Sequence, residues 1–453
     1  MQEAYSGRAR PFPREPGVDS TLALLREGYG FIARRCDLYC SEAFETRLML
    51  RPVVCARGMD AATMFYHPKR FTRRGAVPPT TVALLQDFGS VQQLDGAQHQ
   101  HRKQMFLGIL GPDSTARMAW ILAEEWGARA ARWPGQDRVV LQREVEQILC
   151  RTACRWAGVP LPDEEVGQRT RELVSMIEGA GSIGPSLMRG AVLRRRTERW
   201  IRKVVQKLRA DGPDGSGTPA QLVAAHRELD GSRLDDQKAA VELLNLLRPI
   251  VAVSRWVTFS ALALHRYPHY RHRLEGGEAR LLHHFVQEVR RFYPFFPMVG
   301  GRVNEPFEWR GRSFEKGEWV MLDLYGTNHD ARLWDRPERF DPDRFRSWQG
   351  GEYDFIPQGA GDVAQSHRCP GENPSIALMM TAVRELVSIR YDVPEQDLAF
   401  SLARFPTLPA SGFVMCNVRP LPGPSHESGE RGAAPVPDPD KFGEPQRMRR
   451  QQR

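Results

Sequence analysis

The chain has 453 residues, 41% hydrophobic and 26% charged, which is ordinary for a folded globular protein with material for a large core. Its formal net charge of +9 raises nucleic acid or anionic lipid as partners. The arginines are spread along the whole chain, however, so no nucleic-acid partner is expected. Seven cysteines with no CxxC form no disulfide framework; Cys36/Cys40 and Cys150/Cys154 read as buried free thiols of a reduced, intracellular protein.

In chain order, residues 1–19 are polar, carry three prolines and lack an apolar leader, so they read as an N-terminal arm and the location as cytoplasmic. Arg47 to Ala56 is β-branched enough for a strand or strand pair. Gln98 to Leu110, Trp120 to Trp133 and Val139 to Trp156 carry helical periodicity. The densest basic run, Arg194 to Lys203, puts Leu193, Trp200, Ile201, Val204, Val205 and Leu208 on one face, so its charges form a solvated face opposite.

DGPDGSGT, residues 211–218, is a surface loop. Leu243 to Leu264 is long and apolar enough for a bilayer, but Arg248, Pro249 and Arg255 interrupt it. A buried core helix is expected there, and no membrane span. A helix follows over Gly277 to Tyr293. Trp309, Phe314 and Trp319 to Leu324 are candidate strands, and a last apolar helix starts near Ser375. Residues 421–453 are Pro-, Gly- and charge-rich and read as a disordered tail. His265, His269, His272, His283 and His284 are read as surface residues rather than a metal cluster.

The chemistry is concentrated in FIPQGAGDVAQSHRCPGE, Phe355 to Glu372. A cysteine in a Gly-rich loop ahead of a helix lies near backbone N–H groups that favour thiolate. Cys369 could then be a nucleophile, a redox centre or a metal ligand. Upstream, Glu288 and Arg291 lie three apart on a helix and can pair, and PERF follows at 337–340.

ExxR, then PERF, then HRCPG, in that order, resembles the cytochrome P450 superfamily. The resemblance implies a mainly α fold with small β-sheets, covering residues 20–420 as one haem domain, with heme b held by Cys369. It implies that Glu288, Arg291 and Arg339 form a buried triad bracing the cysteine loop. It also implies that His99, Lys103, Arg302 and His367 contact the haem propionates, with Lys103 standing where the family carries Arg. Ala360 replaces an expected third glycine of the loop.

Within the superfamily, the long helix lacks the acid–alcohol pair of ordinary monooxygenases and carries Arg248-Pro249 in its place. This is similar to the fatty-acid peroxygenase group, as are FYHPKRFTRRGAVP, VQQLDGAQHQHRK and EVRRFYPFFP. A lone Arg in an apolar helix needs a counter-ion: either an acidic side chain from elsewhere in the fold, or a fatty-acid carboxylate, which matches its fork bidentately. The resemblance thus implies hydroxylation of a fatty acid at C2 or C3 by hydrogen peroxide, without a redox partner, with decarboxylation to a terminal alkene as a branch. Gln92 stands where hydroxylating relatives tend to carry Gln. The rival readings are a redox-partner-dependent monooxygenase of another substrate and a non-catalytic haem sensor. Arg255, in a stretch the family keeps apolar, is unassigned.

Overall fold

The computed structural model describes residues 12–78, 82, 84, 85, 89–179, 185–212 and 215–421. The expected tail, apart from Leu421, lies outside them. Of the expected arm, residues 12–19 are tied down: Phe12 is buried against Trp309 and Phe314, and the backbone of Pro13 and Glu15 pairs with Glu45.

The nine longest helices among the described residues form most of the molecule. They are α1 (Gly96–Ile109), α2 (Pro112–Ala130), α3 (Leu141–Ala157), α4 (Asp163–Gly179), α5 (Pro185–Asp211), α6 (Asp236–Ala252), α7 (Ser254–Arg266), α8 (Leu281–Phe292) and α9 (Glu372–Val387). A five-stranded sheet stands beside them: β1 (Ala43–Leu48), β2 (Arg51–Ala56), β3 (Phe71–Thr72), β4 (Met298–Val303) and β5 (Trp319–Asp323), in the order β1-β2-β5-β4-β3. Only the β2/β5 pair is parallel. The β4 strand escapes pattern reading because Gly300 and Gly301 interrupt its apolar alternation. The structure needs them: a Cβ on Gly300 would meet the carbonyl oxygen of Ala76 at 2.2 Å.

The main core joins α2, α3, α6, α7, α8 and α9 around Trp126, Trp133, Trp156 and Trp256. Helix α6 starts at a defined cap, where Asp235 Oδ1 accepts from Lys238 N at 2.7 Å. Pro249 cannot donate to the Asn245 carbonyl, and regular helix gives way at Val253 before resuming as α7. The combined stretch Asp236–Arg266 is long and apolar enough to cross a bilayer, yet its apolar part is almost wholly buried, which makes it the core helix expected.

On α5, Ile201 and Val205 are buried and Trp200, Val204 and Leu208 pack behind them, as the periodicity demands. Arg194 departs from the solvated face: it is buried and pairs with Glu198 at 2.5 Å. Cys36, Cys150 and Cys154 are buried free thiols, whereas Cys40 is exposed, its backbone being turned outward at φ 48°.

Candidate active site

The cysteine loop is held open by two left-handed glycines. Gly359 (φ 99°) has no room for a side chain, since a Cβ would meet Tyr66 Oη at 2.7 Å. Ala360 between them has an ordinary φ and is fully buried beside Tyr66, which is why alanine is accepted there. Gln358 secures the cysteine twice: its carbonyl accepts from Cys369 N at 3.0 Å, and its Nε2 donates to Sγ at 3.6 Å. Burial pushes the Cys369 thiol up, against the pull of the Gly371 N–H, Lys103 and Gln358. Helix α9 begins three residues later, at Glu372.

The brace behind this loop starts at α8. Glu288 and Arg291 are fully buried and paired at 2.7 and 2.8 Å. Arg291 also donates to the carbonyls of Asn328 at 2.9 Å and Pro337 at 3.0 Å. Asn328 Oδ1 in turn accepts from Ile356 N at 2.9 Å, so the pair is linked through one residue to the start of the cysteine loop.

The third arginine is a correction to the sequence reading. Arg344 Nε reaches Glu288 Oε1 at 3.2 Å, whereas the Arg339 side chain is 60% exposed and lies 4.0 Å from Asp341. The 3-10 helix Pro342–Arg346 turns Arg344 inward, and Arg339 contributes its carbonyl to both Arg291 and Arg344. A second brace was not legible from motifs. Buried Arg290 donates to Glu372 and to Gln358 Oε1 (3.0 Å), and Glu372 also pairs with Arg368 at 2.7 Å.

Four cationic positions were expected around a porphyrin. His99 and His367 lie with ring centroids 4.0 Å apart and planes tilted by 30°, and burial pushes both down, His99 to about 4. Lys103, also pushed down by burial to about 8, donates to the carbonyls of Ser366 and Arg368 (2.6 Å to the latter). Arg302 is turned away from this group: it donates to Gly75 O at 3.0 Å and Gly317 O at 3.3 Å and covers Trp319. The guanidinium whose field acts on both histidines is Arg73, which is anchored at 2.7 Å on Gly300 O. Its only sequence signal was its place in FTRRGAVP.

On α6, Pro249 is exposed although Asn245 to Arg248 and Ile250 to Leu264 are buried; its ring faces open space, not packed core. Arg248 beside it is buried and lowered to about 9 by desolvation. Its guanidinium donates to neutral acceptors: the carbonyls of Leu84 (3.4 Å) and Leu85, and Asn245 Oδ1 (3.2 Å). Asn245 Nδ2 donates to Gln92 Oε1 at 3.3 Å and to Glu242 Oε2 at 2.9 Å. Glu242 is itself paired with Arg102 at 2.5 Å and accepts from Val91 N at 2.9 Å. The sequence pointed to Gln92, Arg248 and Pro249; Asn245, Glu242 and Arg102, which join them, carried no pattern.

These features fit a thiolate-ligated haem enzyme: a half-buried cysteine on a braced loop, Lys103, Arg73 and two imidazoles grouped beside it, and a core helix carrying a buried arginine and an exposed proline. Cytochrome P450 is the family whose model matches residues 277–388. Among curated proteins, Rhazimal synthase of Alstonia scholaris is 34% identical over 100 residues (21% of this chain), and cytochrome P450 4A7 of Oryctolagus cuniculus is 29% identical over 216 residues (43% of this chain). The matched stretches span only 19% and 39% of those two proteins.

Solved structures match far more. Cytochrome P450SP alpha (CYP152B1) in complex with (R)-ibuprophen is 44% identical, with TM-score 0.86 over 89% of this chain and 99% of that one. Cytochrome P450EX alpha (CYP152N1) with myristic acid is 40% identical, with TM-score 0.87 over 90% and 99%. A variant of cytochrome P450 OleT in complex with arachidonic acid is 32% identical, with TM-score 0.88 over 90% and 99%. The chain belongs to the cytochrome P450 superfamily, within the CYP152 peroxygenase group. The cofactor of that family is heme b. The residues fit it: a cysteine on a loop braced from two sides, and two imidazoles in close contact with Arg73 and Lys103 around them.

Proposed function

We propose that the protein uses hydrogen peroxide to hydroxylate a fatty acid at C2 or C3, with terminal alkene formation as a branch, in the cytoplasm and without a redox partner. The observation that carries this reading is Arg248: a buried guanidinium, one residue from the exposed Pro249, which among the described residues is satisfied only by neutral oxygens. A buried cation without a carboxylate is costly, and a substrate carboxylate supplies the missing charge through a bidentate contact. The fatty-acid ligands of the P450EX alpha and OleT structures support the same substrate class.

In this mechanism thiolate-ligated haem, when bound, supplies the oxygen-transfer chemistry, and Cys369 is its ligand. Gln358 and the Glu288–Arg291–Arg344 brace hold Sγ in place. His99, Lys103, His367 and Arg73 take the propionate side, while Arg302 lies outside that group. Arg248 fixes the fatty acid by its carboxylate, which places C2 and C3 nearest the reacting centre. Asn245 and Gln92 orient the guanidinium and the carboxylate. Helix α6 offers no acid–alcohol pair beside Pro249, so the proton passed between peroxide oxygens travels through the substrate carboxylate held by Arg248.

The test is mass-spectrometric product analysis with purified holoprotein, myristic acid and hydrogen peroxide, without NADPH or a reductase, beside Arg248→Ala. A 2- or 3-hydroxy acid, or an alkene one carbon shorter, lost in the variant, is the expected result. Turnover that requires a reductase would replace this reading with an ordinary monooxygenase; a spectral response without any product would leave a sensor.

A further inference from the structure

Arg255 stands apart from the other buried arginines. Arg102, Arg290 and Arg291 each hold a carboxylate, and Arg248 holds carbonyls. Arg255 is 2% exposed, and its Nε and Nη1 are enclosed with no hydrogen-bond partner among the described residues. The charged and titratable groups around it are Glu146 on α3, Glu178 on α4, Tyr29 and Arg404, acting through space without a close ion pair. Glu146 already accepts from Gln142 at 2.7 Å, and Arg404 adds charge of the same sign.

The position of Arg255 relates it to the substrate. It lies seven residues after Arg248 on the same buried stretch, about two turns on, with the break at Val253 between them. The interval between the two cations is apolar: Val251 packs with Cys150, Leu173, Val174 and Met176. The next residue, Trp256, stacks on Phe295 at 3.8 Å, and Tyr29 Oη donates to the Phe295 carbonyl at 2.7 Å. Phe296 beside it is 44% exposed although it belongs to the segment between α8 and β4, at the edge of the core. The arrangement is two desolvated guanidinium groups with an apolar interval and an aromatic wall.

We infer that Arg255 is a second carboxylate-binding residue, which selects substrates with an acidic group at each end: α,ω-dicarboxylic acids. The inference rests on the proposed function, since Arg248 must hold the first carboxylate. A planar guanidinium with free N–H groups takes a carboxylate in a bidentate fork. A terminal methyl group at the same place would leave those donors unsatisfied, so the discrimination runs against ordinary fatty acids.

The experiment is an optical titration of the haem-loaded protein with decanedioic, dodecanedioic and tetradecanedioic acids and with the monomethyl ester of each. At least one diacid is expected to bind tenfold or more tightly than its own monoester. Arg255→Leu is expected to abolish that preference while leaving monoester affinity within twofold, and Arg255→Lys, which keeps charge without the fork, to weaken it. Thermal melting of the ligand-free variants gives an independent readout: removing an unpaired buried charge should raise the melting temperature of Arg255→Leu.

Equal binding of diacid and monoester at every length, a preference that survives Arg255→Leu, or a lower melting temperature in that variant would each overturn the inference. Ligand binding with an Arg255-dependent diacid preference but no oxidation by peroxide would strike the proposed function and leave this inference standing. Peroxide-driven oxidation of monoacids with no diacid preference would do the reverse.

Discussion

Replacing Arg344 with alanine tests whether the brace of the cysteine loop is built as the structure shows. The Arg344 side chain is 11% exposed and makes a charge-assisted contact to Glu288 at 3.2 Å. It also donates to the carbonyls of Asp335 at 2.7 Å and Arg339 at 2.9 Å. Glu288 keeps Arg291 and the Asp341 N–H when Arg344 is lost, so its charge is not orphaned. That places the cost at the lower end of the roughly 3–5 kcal/mol of breaking a buried pair outright, at about 3 kcal/mol, given roughly 1 kcal/mol per hydrogen bond and more for the charged one. A change of about 3 kcal/mol is roughly a 150-fold shift in the folded-to-unfolded ratio. Arg339→Ala removes an exposed side chain 4.0 Å from its partner and should cost about 0.5 kcal/mol or less. Urea titration of the holoproteins, followed by the haem Soret band, measures both. Equal midpoints for the two variants, or a larger loss in Arg339→Ala, would refute the assignment of Arg344 as the third member of the brace.

Three further outcomes follow from the same geometry. Gly359→Ala combines a φ of 99° with a 2.7 Å approach to Tyr66 Oη; it should destabilise the loop by about 1–3 kcal/mol and lower haem loading, with partial rescue by Tyr66→Phe, read from the haem-to-protein absorbance ratio. Asn245→Asp puts a carboxylate where Oδ1 sits 3.2 Å from Arg248; this internal counter-ion should weaken fatty-acid binding tenfold or more in a spectral titration, while Asn245→Ala weakens it less. Asp323 is buried, caps the short helix that carries Asn328 and is raised to about 7 by desolvation. An acid whose folded pKa lies above its unfolded value near 3.8 costs nothing below pH 3.8 and destabilises increasingly up to about pH 7. Asp323→Asn, which keeps the acceptor for Gly326 N at 2.7 Å, should therefore flatten the fall in stability between pH 4 and 7, as measured by urea midpoints.

The sequence by itself determined what local chemistry determines. A cysteine between glycines and a helix start, an i,i+3 Glu–Arg pair, and an Arg-Pro inside an apolar stretch are each constrained within one turn or loop. Their order along the chain was enough to indicate the fold class, the thiolate ligand and the cationic distal site. The long apolar stretch read as a buried helix because its charges are too costly for a bilayer, and α6 and α7 are buried.

The tertiary structure decided which long side chains arrive where. Arg339 and Arg344 are five residues apart, and only the turn of the Pro342–Arg346 helix sends one inward and leaves the other in solvent. Arg302 and Arg73 stand on neighbouring segments of one sheet, β4 and the residue just after β3. Their side chains part there, Arg73 donating to Gly300 O and Arg302 to Gly75 O and Gly317 O. Asn245, Gln358 and Glu372 bind functional groups from separate elements and leave no periodicity to read. Sequence spacing fixes neighbours within an element, whereas the partner of a flexible cation depends on which desolvated acceptors the fold brings within its reach.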